Sequence, residues 1–289
     1  MISVIIPTYQ RNDLLARCLN ELVPGRQTLD GGEYEVIITD DGRRATAEAM
    51  IRERYPWARW TKGPGRGPAA NRNHGMRQAR GEWIAFTDDD CVPCAGWLKA
   101  FADARQPGVE IYEGKTTCEA GLLRFAVDAP INLAGGALYS CNLMIAKHLY
   151  EQVGGLDEAF PHADMEDTDF RDRLLRAGHR YRFVPEAVVD HPPRPRVRGT
   201  QAGMRWESRV YFCKKWGEQH AFWRWMPVFV AKVRLAEIVK RYPLRDYPAA
   251  CASLVAELIH VVTHARRWER QYVNVPLIRA DNAKAETER

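Results

Sequence analysis

Apolar residues recur along this chain with two alternating periods. Ser3–Thr8, Glu35–Thr39, Ala58–Thr61 and Trp83–Phe86 are short apolar or β-branched runs, read as strands. Between them, Leu14, Leu15, Cys18, Leu19 and Leu22 repeat at helical spacing, and Ala45–Tyr55 and Pro68–Ala79 follow the same period. Asn12 or Asp13 suits the cap of the first helix, and Pro24 and Gly25 stop it. Strand and helix thus alternate over the first ninety residues, which predicts an α/β fold with a mostly parallel sheet covered by helices. A helix over Ala95–Ala104, a strand over Glu110–Thr117 and a strand after the Gly135–Gly136 pair extend it. A helix beginning at Asp167 carries Phe170, Leu174 and Ala177 on one face and stops at Gly178; the strand Tyr181–Val189 follows. From Pro192 the character changes. Pro193, Pro195 and Gly199 lie among Arg194, Arg196 and Arg198, a pattern read as a mobile basic loop. Helices over Ala202–Trp216, Ala221–Arg241 and Ala249–Tyr272 complete the chain, with a polar tail over 280–289 expected to be disordered. The expected division is a catalytic domain over 1–192 and a helical, basic region over 193–289.

Two predicted strands end in acids. The run W-I-A-F-T stops at Asp88, Asp89 and Asp90, whose carboxylates repel one another. A divalent cation relieves that repulsion, and hard oxygens suit Mg2+ or Mn2+. If the backbone stays extended, Asp88 and Asp90 point the same way. The plainer alternative is a solvated acidic turn. The second strand ends in Asp40, Asp41 and Gly42. Between these ends lies a glycine-rich segment, Gly63 to Gly75, with Arg66, Arg72 and Asn73 as donors for phosphate or base. It matches neither a G-x-G-x-x-G fingerprint nor a P-loop. Asp167 sits near a helix N-terminus, where the dipole favours the ionised form that a general base needs.

Charge and cysteine content narrow the surroundings. The 289 residues carry a net charge of +5, divided as −5 over 1–191 and +10 over 192–289. Such asymmetry suggests that the C-terminal region faces something anionic: lipid headgroups, a phosphate-bearing acceptor or nucleic acid. Seven scattered cysteines make no disulfide framework, and Cys91-x-x-Cys94 lacks the second pair that a zinc site needs. The N-terminus does not read as a signal peptide, and no run is expected to reach the ~18 uncharged apolar residues of a membrane span. The expected location is the cytoplasm. Basic helices with aromatics can lie on a membrane interface, although packing against the rest of the protein accounts for most such residues.

Six stretches stand in one order: V-I-I-P-T-Y-Q-R (Val4–Arg11), I-T-D-D-G (Ile38–Gly42), G-P-A-A-N-R-N-H-G (Gly67–Gly75), G-E-W-I-A-F-T-D-D-D (Gly81–Asp90), G-G-L-D-E-A-F (Gly154–Phe160) and E-D-T-D-F-R-D-R-L (Glu166–Leu174). In this order the chain resembles the family 2 glycosyltransferases with the GT-A fold. The resemblance covers residues 1–192 and implies an inverting transfer of one sugar from a nucleotide-diphosphate sugar, UDP foremost, to an acceptor hydroxyl. It implies that Pro7, Thr8, Tyr9, Arg11, Asp40, Asp41, Arg72, Asp88 and Asp89 bind the nucleotide, either Asp40 or Asp41 taking the base. It further implies that Asp90 and His191 hold Mn2+ or Mg2+, that Asp167 is the catalytic base, and that Gly135, Gly136, Asn142 and Glu166 line the acceptor or sugar region. Asp89 in the middle of D-x-D, and Cys91 where many relatives carry an acid, depart from the pattern. Processive members carry a Q-x-x-R-W motif, which is not present here. The expected acceptor is a saccharide or lipid-linked chain in surface polysaccharide or glycolipid synthesis, with C-terminal helices able to lie against the inner membrane's cytoplasmic face and no nucleic-acid partner. The competing classes are a sugar-phosphate nucleotidyltransferase, for which P-T-Y-Q-R-N is a poor phosphate loop, and a non-catalytic protein binding nucleic acid or membrane, which leaves the acidic motifs unexplained.

Overall fold

A computed structural model describes residues 1–121, 124–217 and 222–278, so the polar tail over 280–289 lies outside the described residues. In chain order the elements are β1 (Ile2–Thr8), α1 (Asn12–Leu22), β2 (Tyr34–Asp40), α2 (Glu48–Arg54), β3 (Arg59–Lys62), α3 (Pro68–Gln78), β4 (Trp83–Thr87), β5 (Val92–Pro93), α4 (Trp97–Ala104), β6 (Ile111–Thr117), β7 (Val127–Asp128), β8 (Asn142–Ala146), α5 (Lys147–Gln152), α6 (Glu166–Arg176), β9 (Tyr181–Asp190), β10 (Arg194–Pro195), α7 (Gly199–Lys215), α8 (Phe222–Arg241) and α9 (Tyr247–Gln271). They divide into two compact units. The first comprises Met1–Ala120, Pro130–Glu158 and Glu166–Pro192; the second comprises Gly121–Ala129, Ala159–Met165 and the chain from Pro193 on. The second unit therefore takes two segments from within the first 192 residues.

The first unit is built on one sheet in the order β3-β2-β1-β4-β8-β6-β9-β5. Strands β3, β2, β1 and β4 are mutually parallel, as strand–helix alternation requires. Beyond β4 the sheet is mixed: β8 runs antiparallel to both β4 and β6, β6 parallel to β9, and β5 antiparallel to β9. Alternation ceases after β4, and antiparallel neighbours need no crossover helix. The apolar runs are continuous because both faces are covered. Val4, Ile6, Val36 and Ile38 pack with Leu15 and Leu19 of α1, while Ile5 and Ile37 pack with Met76 of α3 and Phe86 of β4. On that second face α3 lies close to the sheet at Gly75. A Cβ there would stand 2.5 Å from Ile5 Cγ2 and 2.8 Å from Thr39 Cγ2, so only glycine fits.

The second unit packs α7, α8 and α9 around Trp206, Val210, Met226, Val230, Ile238, Leu254, Val261 and Trp268. The basic stretch after Pro193, expected to be mobile, is held. Its Arg194–Pro195 pairs antiparallel with Val127–Asp128, and Arg196 N donates to Ala126 O at 3.0 Å. The expectation of no membrane-length run is also corrected. Leu244–Gln271 is one helical stretch long and apolar enough to cross a membrane, by length and composition. Between Pro248 and Ala265 its single acid is Glu257, and no Lys or Arg interrupts it. Glu257 itself is buried and accepts from Trp206 Nε1 at 2.6 Å and from Arg234 Nε at 3.0 Å. The opposite side of α9 exposes Val255, Ile259 and Val262; α8 exposes Trp225, Val228, Phe229, Leu235 and Val239.

Candidate active site

All candidate site residues belong to the first unit. Strand β4 stops at Thr87, and the three acids turn rather than extend: Cys91 N donates to Asp88 O at 3.2 Å. The alternation expected for D-x-D does not operate, because a turn has replaced the pleat. Asp88 meets one arginine, while Asp89 and Asp90 share another. Asp88 is paired with Arg72. Asp89 accepts from Thr8 Oγ1 at 2.6 Å and lies 2.5 Å from an Arg11 guanidinium nitrogen. Asp90 accepts from Arg11 at 2.9 Å, and its other oxygen stands 3.3 Å from His191 Nε2. Burial drives Asp89 up to about 7, against the pull of Arg11 and the Thr8 hydroxyl. Thr8 and Asp89, expected at the nucleotide, thus satisfy each other and fasten the acidic turn to the end of β1.

His191 is fully buried just past β9. Its Nδ1 lies 3.0 Å from Pro192 O, which can only accept, so Nδ1 carries a proton. In a neutral ring Nε2 is then a bare lone pair aimed at a carboxylate oxygen, and it makes no hydrogen bond. Two electron-rich atoms facing each other in a buried place fit a cation between them. Asp90, Cys91 and His191 bring their ligand atoms within 4.8 Å of one another. The thiol is the misfit: it is soft, and burial holds it protonated.

Asp167 lies in the first turn of α6. Ser140 N donates to its Oδ2 at 3.4 Å, while its Oδ1 makes no hydrogen bond. Burial raises its carboxyl above the ordinary range, and the Arg72 charge opposes that rise. Arg72 is itself buried, and Asp88, Asp167 and Glu166 hold it firmly cationic against the penalty of burial. One guanidinium thus stands in the field of both the acidic turn and the start of α6. Asp169, two residues on, does other work: it pairs with Arg173 at 2.9 Å, which donates to Val153 O and Gly155 O at 2.6 Å each.

The acids after β2 separate just as clearly. Asp40 accepts from Gly42 N at 2.7 Å, Ala47 N at 2.6 Å and Trp60 Nε1 at 3.1 Å, which makes it a turn and helix anchor. Asp41 accepts from Gly65 N at 2.7 Å and ties the glycine-rich loop to β2; burial raises its carboxyl. Pro7 is buried, whereas Tyr9 is 51% exposed. Asn142, expected near the sugar, is fully engaged inside the sheet: it accepts from Trp97 Nε1 at 2.8 Å and donates to Lys115 O and Ala187 O at 3.0 Å each. Gly135 and Gly136 have φ of 84° and 97°, a loop conformation reserved largely for glycine. That loop is fixed by Glu113, which accepts from Gly136 N at 2.5 Å, Asn132 Nδ2 at 2.6 Å and Leu138 N. Glu113 was not anticipated; a glutamate inside the predicted strand Glu110–Thr117 was its signal. Asn71 was also missed. It donates to Thr39 O at 2.8 Å, and its buried Oδ1 makes no hydrogen bond.

Residues 3–111 match the model of Glycosyl transferase family 2. Glycosyltransferase AglE of Haloferax volcanii is 26% identical over 212 residues, 67% of each chain. Residues 3–111 form a glycosyltransferase family 2 domain. Pre-mycofactocin glycosyltransferase of Mycobacterium tuberculosis is 29% identical over 68% of this chain, which spans only 44% of that protein. Staphylococcus aureus TarS in complex with UDP-GlcNAc superposes with a TM-score of 0.58 at 17% identity, over 94% of this chain and 89% of that one. GalNAc-T7, solved with UDP, GalNAc and Mn2+, gives 0.59 at 14% identity, over 81% and 51%. These likenesses establish the GT-A fold. The matched domain and these relatives make the chain a glycosyltransferase that draws on nucleotide sugars, rather than a nucleotidyltransferase or a non-catalytic binding protein.

Proposed function

We propose that the chain transfers one sugar from a UDP-sugar to an acceptor hydroxyl with inversion at the anomeric carbon. The observation that carries this reading is the link Asp88–Arg72–Asp167. It sets a carboxylate with a free oxygen, Asp167 Oδ1, in the same electrostatic field as the acidic turn. In a single displacement the acceptor O–H breaks and its proton passes to Asp167 Oδ1. The acceptor oxygen bonds to the anomeric carbon as the bond to the diphosphate oxygen breaks. Because Asp40 is saturated by protein donors, Asp41 is the acid left to accept the base N–H, and exposed Tyr9 offers a face for the base. Arg72 positions the donor's diphosphate, and Asp88 takes a ribose hydroxyl by trading one guanidinium contact for it. Asp90 and His191 would hold Mn2+ or Mg2+, which when bound neutralises charge on the departing diphosphate. The Gly135–Gly136 loop and Glu166 border the acceptor side.

The acceptor is read as a saccharide or lipid-linked chain in surface polysaccharide or glycolipid synthesis, reached by a peripheral enzyme. Exposed Trp225, Val228, Phe229 and Val239 share one arc of α8 with Lys232 and Lys240. Lysines on an apolar stripe suit an anionic bilayer surface, their stems lying along the apolar part and their heads at the phosphates. The deciding test is release of UDP from a panel of UDP-sugars with Mn2+ and a saccharide acceptor. Turnover lost in Asp167→Asn while UDP still binds supports the reading; near-normal turnover in that variant removes Asp167 as base.

A further inference from the structure

Within the second unit, a cavity of about 190 Å3 opens against β10 and α7. That is far above the ~10–15 Å3 needed to hold one water. Its wall is unusual in chemistry: Arg194 and Arg196 come from β10 and the residue after it, Arg205 and Arg209 from α7, and Arg234 from α8. Arg205 and Arg209 stand four residues apart and therefore on one helix face, which they share with Ala202. Trp206 completes the wall and lies under the Arg209 guanidinium at 4.7 Å.

Not all of this charge is available. Arg196 reaches Glu237 at 2.9 Å and Asp128 at 3.3 Å, and Arg234 reaches Glu257 at 3.0 Å and Glu237 at 3.0 Å. Arg209 lies 3.4 Å from Asp164. Arg205, however, makes no hydrogen bond or ion pair among the described residues, although it is only half-exposed in this wall. Arg196 adds a buried Nε with no hydrogen-bond partner. Five arginines face two acids across one concavity, Asp128 and Asp164. Planar guanidinium forks on separate elements match the several oxygens of a phosphate far better than one carboxylate does.

We propose that this arginine-walled cavity binds a phosphate or diphosphate ester, with Arg205 and Arg209 as its principal donors. The site stands on the second unit's own geometry and does not depend on the transfer reading. Its ligand is a phosphate group, either free or carried on a lipid.

The test is calorimetric titration of the full chain with inorganic diphosphate, and separately with a short-chain prenyl diphosphate, both with EDTA and saturating UDP. Each titration is run on wild type, Arg205→Ala, Arg205→Lys and Asp90→Ala. Binding weakened roughly tenfold by Arg205→Ala, the equivalent of losing one charged hydrogen bond, supports the site, provided Asp90→Ala leaves it unchanged. Arg205→Lys, which keeps charge and loses the fork, should fall between. Because Arg205 holds no hydrogen-bond or ion-pair partner among the described residues, its loss should leave the melting temperature in place. Tighter binding of the prenyl ester than of inorganic diphosphate assigns the lipid-borne source; equal binding assigns the free anion. Affinity unaffected by Arg205→Ala, or abolished by Asp90→Ala, overturns the proposal.

Discussion

At the end of β2, Asp40 receives two backbone N–H groups and the Trp60 indole N–H. At the end of β4, Asp88, Asp89 and Asp90 meet two arginines, a threonine hydroxyl and a histidine. The two sites read alike in sequence, as acids terminating a parallel strand. Their difference lies in the donors. Backbone donors are fixed by the fold and cannot leave, so a carboxylate they saturate is part of the scaffold. Long cationic side chains can swing to a ligand's phosphates when one arrives, so a carboxylate they hold is exchangeable. Asp89 stands between the two cases, exchangeable in principle through Arg11 but fastened to β1 by Thr8.

The largest expected effect tests the exchangeable class. Asp167→Asn should lower kcat by roughly 10²–10⁴-fold with nucleotide affinity nearly unchanged, since general-base contributions fall in that range. Single-turnover assays alongside calorimetry with UDP separate the two. Asp90→Ala comes next. It removes one side of the Asp90–His191 pair, and Mn2+-dependent UDP affinity should drop by roughly 10²-fold, while affinity measured in EDTA barely moves. Unchanged affinity with Mn2+ present would contradict the assignment of that pair to the metal. The scaffold class is tested by Asp40→Ala. Three donors lose an ionised acceptor, so stability should fall by about 3 kcal/mol in chemical denaturation, with activity per folded molecule retained. A stable, inactive Asp40→Ala would collapse the distinction.

Much of the first unit was legible because its strands bury both faces and its helices bury one. Ile5 and Ile37 alternate with Val4, Ile6, Val36 and Ile38 onto opposite covering layers. The β4 turn was not legible, because nothing in D-D-D says whether the pleat continues; the Cys91 N–H to Asp88 bond decides it. Asn142 was misplaced for a related reason: an asparagine beside a glycine loop reads as polar and available, and only the packing of Trp97 shows where its amide goes. In the second unit, the arginines were visible but not their arrangement. Pro193, Pro195 and Gly199 signalled a loop, and pairing with Val127–Asp128 depended on a segment more than sixty residues earlier. The helix of α9 was read but its apolar length was not, because Arg266, Arg267 and Arg270 crowd its end and mask the run before them, which holds Glu257 as its single acid.

The smallest effect is the most discriminating, because it asks whether Arg72 acts on Asp167 through its charge. Burial raises the Asp167 carboxyl and Arg72 opposes it, so the acidic limb of kcat should lie above the ordinary carboxylate value of ~3.9, with activity rising as pH rises through it. Removing the cation removes the opposition. In Arg72→Gln the limb should therefore move to higher pH. The same shift fixes the sign for stability. A folded-state value above the unfolded one means that the folded chain holds the proton over that window. Stability is then greatest below the unfolded value and declines as pH rises through the folded one. Above that window the ionised Asp167 is a burden on the fold, so Asp167→Asn should melt no lower than wild type there. A limb that stays in place in Arg72→Gln, or an Asp167→Asn protein that melts several degrees lower, would show that Asp167 belongs with Asp40 among the scaffold acids.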